Sequence, residues 1–342
     1  MTQDNVLILT GNEIYSILEN QEQKIIETIG LAYQAHARGN TFMPPNAYLR
    51  FPGMDRERII AKPAYLGEEF DLAGIKWIAS FPGNLEKNLE RASATLILNS
   101  LDTGHPTAIM ESSIISAKRT AASAALAARC LYLQEPVLSV GLIGCGVINF
   151  ETVKFLKSVY REIEKVWIFD LNPERALQFK TQCLKFSSSW EILIQDSLTD
   201  VVKKSPILSI ATNAITPFIK VIDNHPENAL ILHISLRDLS PEIILNSNNV
   251  VDDVEQVCSN QTSLHLAEQQ VGNRNFISFT IGDLLNEEKI YPPLSDKPLS
   301  IFSPFGLGIL DIAIAKLVQQ LAGEQNYGIS LPSFLPKSWI ER

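Results

Sequence analysis

The sequence predicts an α/β protein in which a Rossmann-type, doubly wound nucleotide domain is inserted into a mixed-sheet α+β domain. The first observation is an apolar run of strand length, Val137–Ile143, followed by the glycine turn Gly144-Cys-Gly146, a helical segment and a second strand that closes on Asp170. The second observation is a series of short strand-like segments over residues 47–110, joined by tight turns without long helices between them. The first pattern is typical of a dinucleotide site, and the second is typical of a mixed or antiparallel sheet.

Length and composition limit the classes of protein that this chain can be. A chain of 342 residues is long enough for two domains, each with its own core. We expect residues 1–120 and 308–342 to form one domain, and residues 121–307 to form a Rossmann nucleotide-binding domain. The net charge of −9 and the lack of a basic run argue against a nucleic-acid surface.

The same composition gives expectations about membranes, metals and location. No apolar run reaches the length of a membrane span, and the N-terminus carries an acid where a leader would be basic, so we expect no membrane association. The four cysteines are far apart and show neither metal-site nor disulfide-scaffold spacing. They predict reduced thiols in a cytoplasmic protein that holds no metal.

The N-terminal part is predicted to contain a strand, two helices and then a sheet. Val6–Leu9 is strand-like, Thr10 is a candidate N-cap with Glu13 three residues later, and the second helix covers Gln21–Ala37. A long alanine-rich helix, Glu111–Leu133, follows the sheet. The strands of the sheet are predicted at Ala47–Phe51, Arg58–Ala64, Ala73–Ala79, Ala94–Asn99 and Thr107–Met110.

The glycine turn has the residues that a pyrophosphate needs. Gly144 permits the tight turn, and Gly146 lets the backbone approach the phosphates. The helix that begins at Val147 and Ile148 offers unpaired amides and a positive dipole end. Asp170 lies 24 residues after Gly146 and suits the adenosine ribose, which favours NAD over NADP.

Two residues near this turn depart from the usual pattern. Asn149 stands where a third glycine is expected, and we expect it to push the helix slightly away from the strand. Arg175 follows Asp170 by five residues. It has two interpretations, a contact for a 2′-phosphate or a charge on a solvated helix face, and the second is the simpler.

Beyond Asp170 the chain alternates strands and helices, as a parallel sheet requires. Active residues in such sheets lie at the carboxyl ends of the strands, which places Thr212 and Ser235 beside the cofactor. Asp238 has two interpretations, a general base beside the cofactor or a turn-capping aspartate. His233, within an apolar strand, is interpreted as a packed core residue. The candidate strands are Trp190–Ile194, Ile207–Ala211, Ala229–Ile234 and Val250–Asp252.

Basic residues occur in apolar settings in the first domain. Arg50, Lys76 and Arg91 lie in or beside predicted strands, and two interpretations remain open for them. In the first, Lys76 protects an edge strand and the two arginines are surface charges. In the second, the three residues face an anionic substrate, because guanidinium groups bind carboxylates bidentately. Arg119 stands alone in the alanine-rich helix, and we interpret it as aimed at a phosphate or a substrate carboxylate.

Taken together, these stretches resemble the ornithine cyclodeaminase/mu-crystallin family over nearly the whole chain. The matching segments are Gly74-Ile-Lys76, Leu101-Asp-Thr-Gly104, Lys118-Arg-Thr-Ala-Ala122, Gly144-Cys-Gly146, Asp170, Ala211-Thr212, Asp238 and Phe305-Gly306 with Asp311. The resemblance implies a homodimer that assembles through the first-domain sheet, with Asp238 and Lys76 as catalytic residues. It implies substrate contacts from Arg50, Lys76, Arg91, Arg119 and Phe305. It implies NAD contacts from Arg119, Thr120, Gly144, Gly146, Val147, Ile148, Asp170, Thr212 and Ser235.

The resemblance also implies a reaction. Glu90-Arg-Ala-Ser93 and Ile97-Leu-Asn99 are most similar to family members that make L-2,3-diaminopropionate for siderophores. This implies NAD-dependent oxidative cleavage of N-(1-amino-1-carboxyethyl)-L-glutamate, a small-molecule amino-acid substrate, to that product and 2-oxoglutarate. Ornithine cyclodeaminases have Cys-Pro-Gly-Lys after the aspartate, whereas Leu239-Ser-Pro-Glu242 follows Asp238 here. The alternatives are an ornithine cyclodeaminase, or a ketimine reductase or crystallin-like binding protein.

Overall fold

The computed structural model describes residues 5–87, 89–286 and 297–340. The chain divides into two compact units. Unit 1 comprises Met1–Arg119 and Leu307–Arg342, and unit 2 comprises Thr120–Gly306. The predicted fold class is confirmed, because unit 1 contains a mixed sheet and unit 2 contains a parallel, doubly wound one. No helix in the described ranges has both the length and the apolar character needed to cross a membrane.

Within the described residues, unit 1 is built on one eight-stranded mixed sheet. Its strands are β1 (Val6–Leu9), β2 (Thr41–Phe42), β3 (Ala47–Phe51), β4 (Met54–Leu66), β5 (Leu72–Ser80), β6 (Ala92–Asn99), β7 (Pro106–Glu111) and β16 (Ile329–Leu331). The spatial order is β16-β1-β7-β6-β5-β4-β2, and β3 pairs with β4. Only β1 and β7 run parallel among these pairs.

The helices of unit 1 pack against this sheet. They are α1 (Gly11–Ile17), α2 (Glu22–Ala37) and α11 (Gly308–Gln325), while α3 (Ser113–Leu131) begins in unit 1 and continues into unit 2. Thr10 and Glu13 form the predicted capping box at the start of α1. A Cβ atom at Gly74 of β5 would lie 2.7 Å from Ile312 Cδ1 of α11. The glycine therefore lets α11 approach the sheet closely, and this brings Asp311 over the strands.

Unit 2 contains one eight-stranded sheet in which the pairs between described strands are all parallel. The strands are β8 (Ser139–Ile143), β9 (Lys165–Phe169), β10 (Glu191–Ile194), β11 (Ile207–Ile210), β12 (Ala229–His233), β13 (Asn248–Val251), β14 (Ile277–Thr280) and β15 (Leu299–Ser303). The spatial order is β10-β9-β8-β11-β12-β15-β13-β14. The chain order reverses between β8 and β11, and such a switch point is where open α/β sheets bind ligands.

Seven helices of the described chain cover the faces of this sheet. They are α4 (Val147–Val159), α5 (Pro173–Phe186), α6 (Leu198–Lys204), α7 (Pro241–Leu245), α8 (Val254–Val257), α9 (Ser263–Val271) and α10 (Ile281–Leu284). The helix α4 follows the glycine turn, so its N-terminus lies at the carboxyl end of β8.

The predicted strands all exist, and the sequence missed four others. The missed strands, β2, β14, β15 and β16, have two to five residues each. Runs this short carry too little periodicity to be distinguished from loops. The strand β15 lies between β12 and β13 although it follows both in sequence, so only the parallel pairing identifies it.

Candidate functional site

The glycine turn after β8 has the conformation that the sequence predicts. Gly144 has φ of +91°, and a Cβ atom there would lie 2.3 Å from the carbonyl oxygen of Ala211. Only glycine fits this position. The carboxylate of Asp170 accepts the Cys145 amide at 2.7 Å and the Asn172 amide at 2.9 Å. Asp170 is therefore fixed beside the turn, and its oxygens keep acceptor capacity for a ribose hydroxyl.

Asn149 does not act as its position in the sequence suggests. We expected it to push the helix away from the strand, but its side chain ties them together. Its Nδ2 donates to the carbonyl oxygens of Ile143 (2.9 Å) and Gly144 (2.7 Å), and its Oδ1 accepts from the Ser209 hydroxyl on β11 (2.7 Å). The side chain is fully buried, and both its nitrogen and its oxygen have hydrogen-bond partners.

Arg175 is also bound to the turn, so its interpretation as a charge on a solvated helix face is wrong. Its Nε donates to the carbonyl oxygen of Cys145 at 3.0 Å. One terminal nitrogen lies 3.6 Å from the point where a Cβ atom of Gly146 would stand. This places a positive charge next to the approach to the turn.

The first amides of α4 are available to a ligand. The helical ladder begins with the Phe150 amide, which donates to the carbonyl oxygen of Gly146 at 3.0 Å. The amides of Val147 and Ile148 lie before that bond, and no side chain caps them within the described residues. These donors and the positive end of the helix dipole suit a pyrophosphate.

A second cluster lies at the carboxyl ends of β11 and β12, around Asp238. The hydroxyls of Thr212 and Ser235 donate to its two carboxylate oxygens, and His233 Nε2 lies 3.2 Å from its Oδ2. The carboxylate is fully buried. Burial by itself would raise the pKa of Asp238, but His233 and the two hydroxyls outweigh it and hold the pKa below its usual value. The carboxylate is therefore ionised at neutral pH.

His233 is the residue of this cluster that sequence reasoning missed. It is buried, as predicted, but its ring contacts Asp238 through Nε2 and lies 3.3 Å from the Ser303 hydroxyl through Nδ1. The chain returns from His233 to Asp238 through a turn in which Leu236 has φ of +67°. Leucine rarely adopts this conformation, so the contact could not be read from the sequence spacing.

Unit 1 holds its own charged cluster, centred on Asp311 at the start of α11. Lys76 Nζ lies 2.7 Å from Asp311 Oδ2 and 3.0 Å from the Ser116 hydroxyl, and Arg119 Nε lies 3.1 Å from Asp311 Oδ1. Lys76 and Asp311 are both buried. The edge-strand interpretation of Lys76 is wrong, because β5 lies between β4 and β6.

The two charges shift each other's pKa. Burial lowers the pKa of Lys76 from 10.5 to about 7, and the negative charge of Asp311 limits that fall. Burial would raise the pKa of Asp311, but Arg119 and Lys76 hold it below its usual value. The anion that Arg119 contacts is thus a residue of the chain itself, and Asp311 is a member of the cluster that residue-level reasoning had not assigned. Thr120, the next residue of α3, is buried.

Three arginines meet at one end of the same sheet. Arg50 of β3 lies directly opposite Arg58 of β4, and Arg58 is in register with Ser80 of β5. Arg91 Nε donates to the Ser80 hydroxyl at 3.3 Å. Neither Arg50 nor Arg58 has an ion-pair or hydrogen-bond partner among the residues that the structure describes. Side chains four residues apart on a strand share a face, so Arg58 and Ser80 lie on the sheet face that carries Lys76.

Phe305 belongs to unit 2, where a buried aspartate fixes its backbone. The amides of Phe305 and Gly306 donate to the carboxylate of Asp252 at 2.8 and 2.7 Å. Burial raises the pKa of Asp252 to about 6, although these amides oppose the shift. The ring of Phe305 packs, partly buried, against the core of unit 2.

The chain is similar along most of its length to several named dehydrogenases and reductases. The chain is 29% identical to the N-((2S)-2-amino-2-carboxyethyl)-L-glutamate dehydrogenase of Staphylococcus aureus, over 95% of this chain and 98% of the relative. A solved archaeal alanine dehydrogenase dimer with bound NAD is 28% identical, with a TM-score of 0.84, over 96% of this chain and all of that one.

A third relative is the Thermococcus litoralis Δ1-pyrroline-2-carboxylate reductase, solved with NADH and L-proline. It is 26% identical, with a TM-score of 0.85, and the match covers 95% of this chain and all of that one. The model of the ornithine cyclodeaminase/mu-crystallin family matches residues 7–326. The glycine turn, the Asp238 cluster and the Lys76 cluster all lie inside this match. The predicted resemblance is confirmed, and the chain belongs to the ornithine cyclodeaminase/mu-crystallin family.

Proposed function

We propose that this protein is an NAD-dependent dehydrogenase that cleaves N-((2S)-2-amino-2-carboxyethyl)-L-glutamate to L-2,3-diaminopropionate and 2-oxoglutarate. The Staphylococcus aureus relative carries this substrate in its name. The sequence-based prediction used the 1-amino-1-carboxyethyl compound, and that connectivity is wrong for this product. It would attach both nitrogen atoms to one carbon, whereas 2,3-diaminopropionate carries them on neighbouring carbons.

The observation that carries this choice of substrate is the arginine pair in unit 1. Like charges directly opposite each other across two strands are destabilising, and Arg50 and Arg58 face each other in this way without an acidic partner among the described residues. An anionic ligand would relieve this repulsion, and bidentate guanidinium–carboxylate pairs would select for it. The proposed substrate has three carboxylates. Ornithine has one and carries a positive side chain, so the pair favours the triacid.

The glycine turn supports NAD as the cofactor. The turn at Gly144 leaves no room for a Cβ atom, and Asp170 is fixed beside it. The amides of Val147 and Ile148 have no hydrogen-bond acceptor among the described residues. We propose that these residues hold NAD together with Gly146, Arg119, Thr120, Thr212 and Ser235. When bound, NAD accepts the hydride from the glutamate Cα. Asp170 accepts from the adenosine ribose and disfavours a 2′-phosphate by charge.

Asp238 suits the proton transfers of this reaction. Oxidation of the C–N bond and addition of water yield the keto acid, the free ammonium product and one net proton. An ionised, buried carboxylate can take protons from the amine and from the attacking water. The hydroxyls of Thr212 and Ser235 occupy one acceptor position on each oxygen, and His233 Nε2 lies 3.2 Å from Oδ2. The remaining position on Oδ1 faces no other described donor. We propose that His233 positions the carboxylate and stabilises its charge.

Lys76 and Arg119 suit the α-carboxylate of the substrate. When Lys76 is protonated, Asp311 neutralises one of these two cations and the cluster keeps a net positive charge for an incoming anion. Arg50, Arg58 and Arg91 then take the remaining carboxylates, and Phe305 contributes an apolar contact. A carboxylate beside Lys76 favours the charged ammonium, so we expect substrate binding to raise the pKa of Lys76.

The outer face of the unit 1 sheet supports a homodimer. Pro63, Ile75, Ile97 and Ile109 lie in register across four neighbouring strands, and Trp77 on the same face is 44% exposed. The helix α11 packs against the opposite face, as the contact between Gly74 and α11 shows. A continuous apolar face of this kind marks an interaction surface. We propose that a second copy of the chain covers it.

The reaction is tested by incubating the purified protein with N-((2S)-2-amino-2-carboxyethyl)-L-glutamate and NAD. We expect NADH absorbance to rise, with 2-oxoglutarate and 2,3-diaminopropionate formed in equal amounts. Release of ammonia from ornithine with no net NADH would instead identify a cyclodeaminase, because that reaction regenerates its NAD. Tight NAD binding with turnover of neither compound would identify a binding protein.

Arg58→Ala tests the anion site. Losing a charged hydrogen-bond partner typically costs about 1.5–3 kcal/mol, so we expect KM for the triacid to rise about tenfold or more while kcat changes little. Arg129→Ala removes the same charge from an exposed position near the end of α3 and should change KM less than about twofold. Equal effects of the two variants on KM would exclude Arg58 from the site.

Asp238→Asn tests the base. The amide keeps the size of the side chain but cannot accept a proton, so we expect kcat to fall by about 10²–10⁴ while NAD affinity is preserved. Asp253→Asn is the matched control, because Asp253 also follows a strand of this sheet and caps a helix through Gln256. It should retain activity, since asparagine caps equally well. A similar fall in kcat in both variants would contradict the role of Asp238 as a base and favour its interpretation as a turn-capping residue.

The lowered pKa of Lys76 predicts a pH dependence that NMR can measure. With 13Cε-labelled lysine, the Lys76 resonance should titrate near pH 7, and Asp311→Asn should move the midpoint lower because the negative charge is lost. The unfolded chain binds more protons than the folded chain between pH 7 and 10.5. The contribution of Lys76 to the free energy of unfolding therefore rises with pH across that window. A midpoint near 10.5 would contradict the burial argument.

A further inference from the structure

Side chains form hydrogen bonds with two successive peptide groups of the glycine turn. In a trans peptide the C=O and the following N–H point in opposite directions. The plane between Gly144 and Cys145 is held at both ends, because Asn149 Nδ2 donates to its C=O at 2.7 Å and Asp170 accepts from its N–H at 2.7 Å. Glycine has the widest conformational freedom of any residue, so without these contacts this plane would be free to rotate.

The next peptide plane is held at one end. Arg175 Nε donates to the Cys145 carbonyl oxygen, so the Gly146 N–H on the opposite edge points away from Arg175. No acceptor for that N–H or for the amides of Val147 and Ile148 lies among the described residues. Side chains thus pair with the first polar groups of the turn, and the next three amides, of Gly146, Val147 and Ile148, have no acceptor among the described residues.

We propose that Asn149 is a positioning residue of the cofactor site, which locks the glycine turn so that the amides of Gly146, Val147 and Ile148 converge on the pyrophosphate. It holds the turn by hydrogen bonds that neither a glycine nor an alanine at this position could make. Its Oδ1 accepts from Ser209, which fixes the orientation of the amide group against β11. The inference rests on the NAD site of the proposed function and is independent of the amino-acid substrate.

A second asparagine in the same sheet provides a matched control. Asn249 of β13 is also fully buried, and its Nδ2 donates to the carbonyl oxygens of Ile244 (2.7 Å), Ser247 (2.9 Å) and Phe276 (3.1 Å). Three strands, β11, β12 and β15, lie between β8 and β13 in the sheet order. Replacing Asn249 by alanine therefore removes similar buried hydrogen bonds without touching the turn.

The experiment compares Asn149→Ala with Asn249→Ala. Both variants should lower the melting temperature, because both leave buried carbonyls without a partner. Calorimetry should show that Asn149→Ala weakens NAD and ADP binding about tenfold or more, while Asn249→Ala changes them less than about twofold. Adenosine lacks the pyrophosphate, so its affinity, measured by ligand-observed NMR, should stay within about twofold in both variants.

Further variants keep the proposal falsifiable. Ser209→Ala leaves Asn149 in place but removes its anchor, so it should weaken NAD about threefold and serves if Asn149→Ala does not fold. Asn149→Gly restores the third glycine and should bind NAD as weakly as the alanine variant. The proposal is overturned if the Asn149 and Asn249 variants lose NAD affinity equally, or if Asn149→Gly binds NAD as the wild type does. Failure of the wild type itself to bind NAD would refute the proposed function instead.

Discussion

A charge that is removed from water must be compensated close by, and this constraint organises both units of the protein. In unit 1 the buried carboxylate of Asp311 lies between Lys76 and Arg119. In unit 2 the buried carboxylate of Asp238 is surrounded by two hydroxyls and the ring of His233. Asp311 meets groups from distant parts of the chain, whereas Asp238 combines Thr212 at the end of β11 with Ser235 and His233 from its own turn, so the constraint also fixes how strands, helices and turns pack around each charge.

The contrast between satisfied and unsatisfied groups distinguishes structural charges from candidate ligand contacts. The inner polar groups of the glycine turn are paired with Asn149, Asp170 and Arg175. The amides that follow them are not, and neither are Arg50 and Arg58 within the described chain. These groups are exposed or half-buried, so an incoming ligand can reach them. Amides at a helix N-terminus suit a phosphate, and guanidinium groups suit carboxylates.

The surroundings of Asp238 favour its charged form, whereas those of Lys76 disfavour its charged form. The partners of Asp238 hold its pKa below the usual value despite burial, and burial lowers the pKa of Lys76 to about 7. A firmly ionised base and an ammonium group that a carboxylate ligand can recharge suit the proposed oxidation of an amino acid. The difference arises from the partners, because Asp238 has two hydroxyl donors and the ring of His233, whereas Lys76 shares one carboxylate with Arg119.

The sequence by itself determined the strand–turn–helix order of unit 2, the glycine turn with Asp170, and the family. These features depend on residues that are close in sequence, where spacing and residue type limit the backbone directly. Only the tertiary structure showed that Asp311 meets Arg119 across 192 residues, that Arg58 opposes Arg50, and that His233 contacts Asp238. It also reversed the interpretation of Asn149, which binds the turn before its helix and Ser209 on β11. Side-chain partners of this kind are decided by sheet order and burial, which the local sequence does not encode.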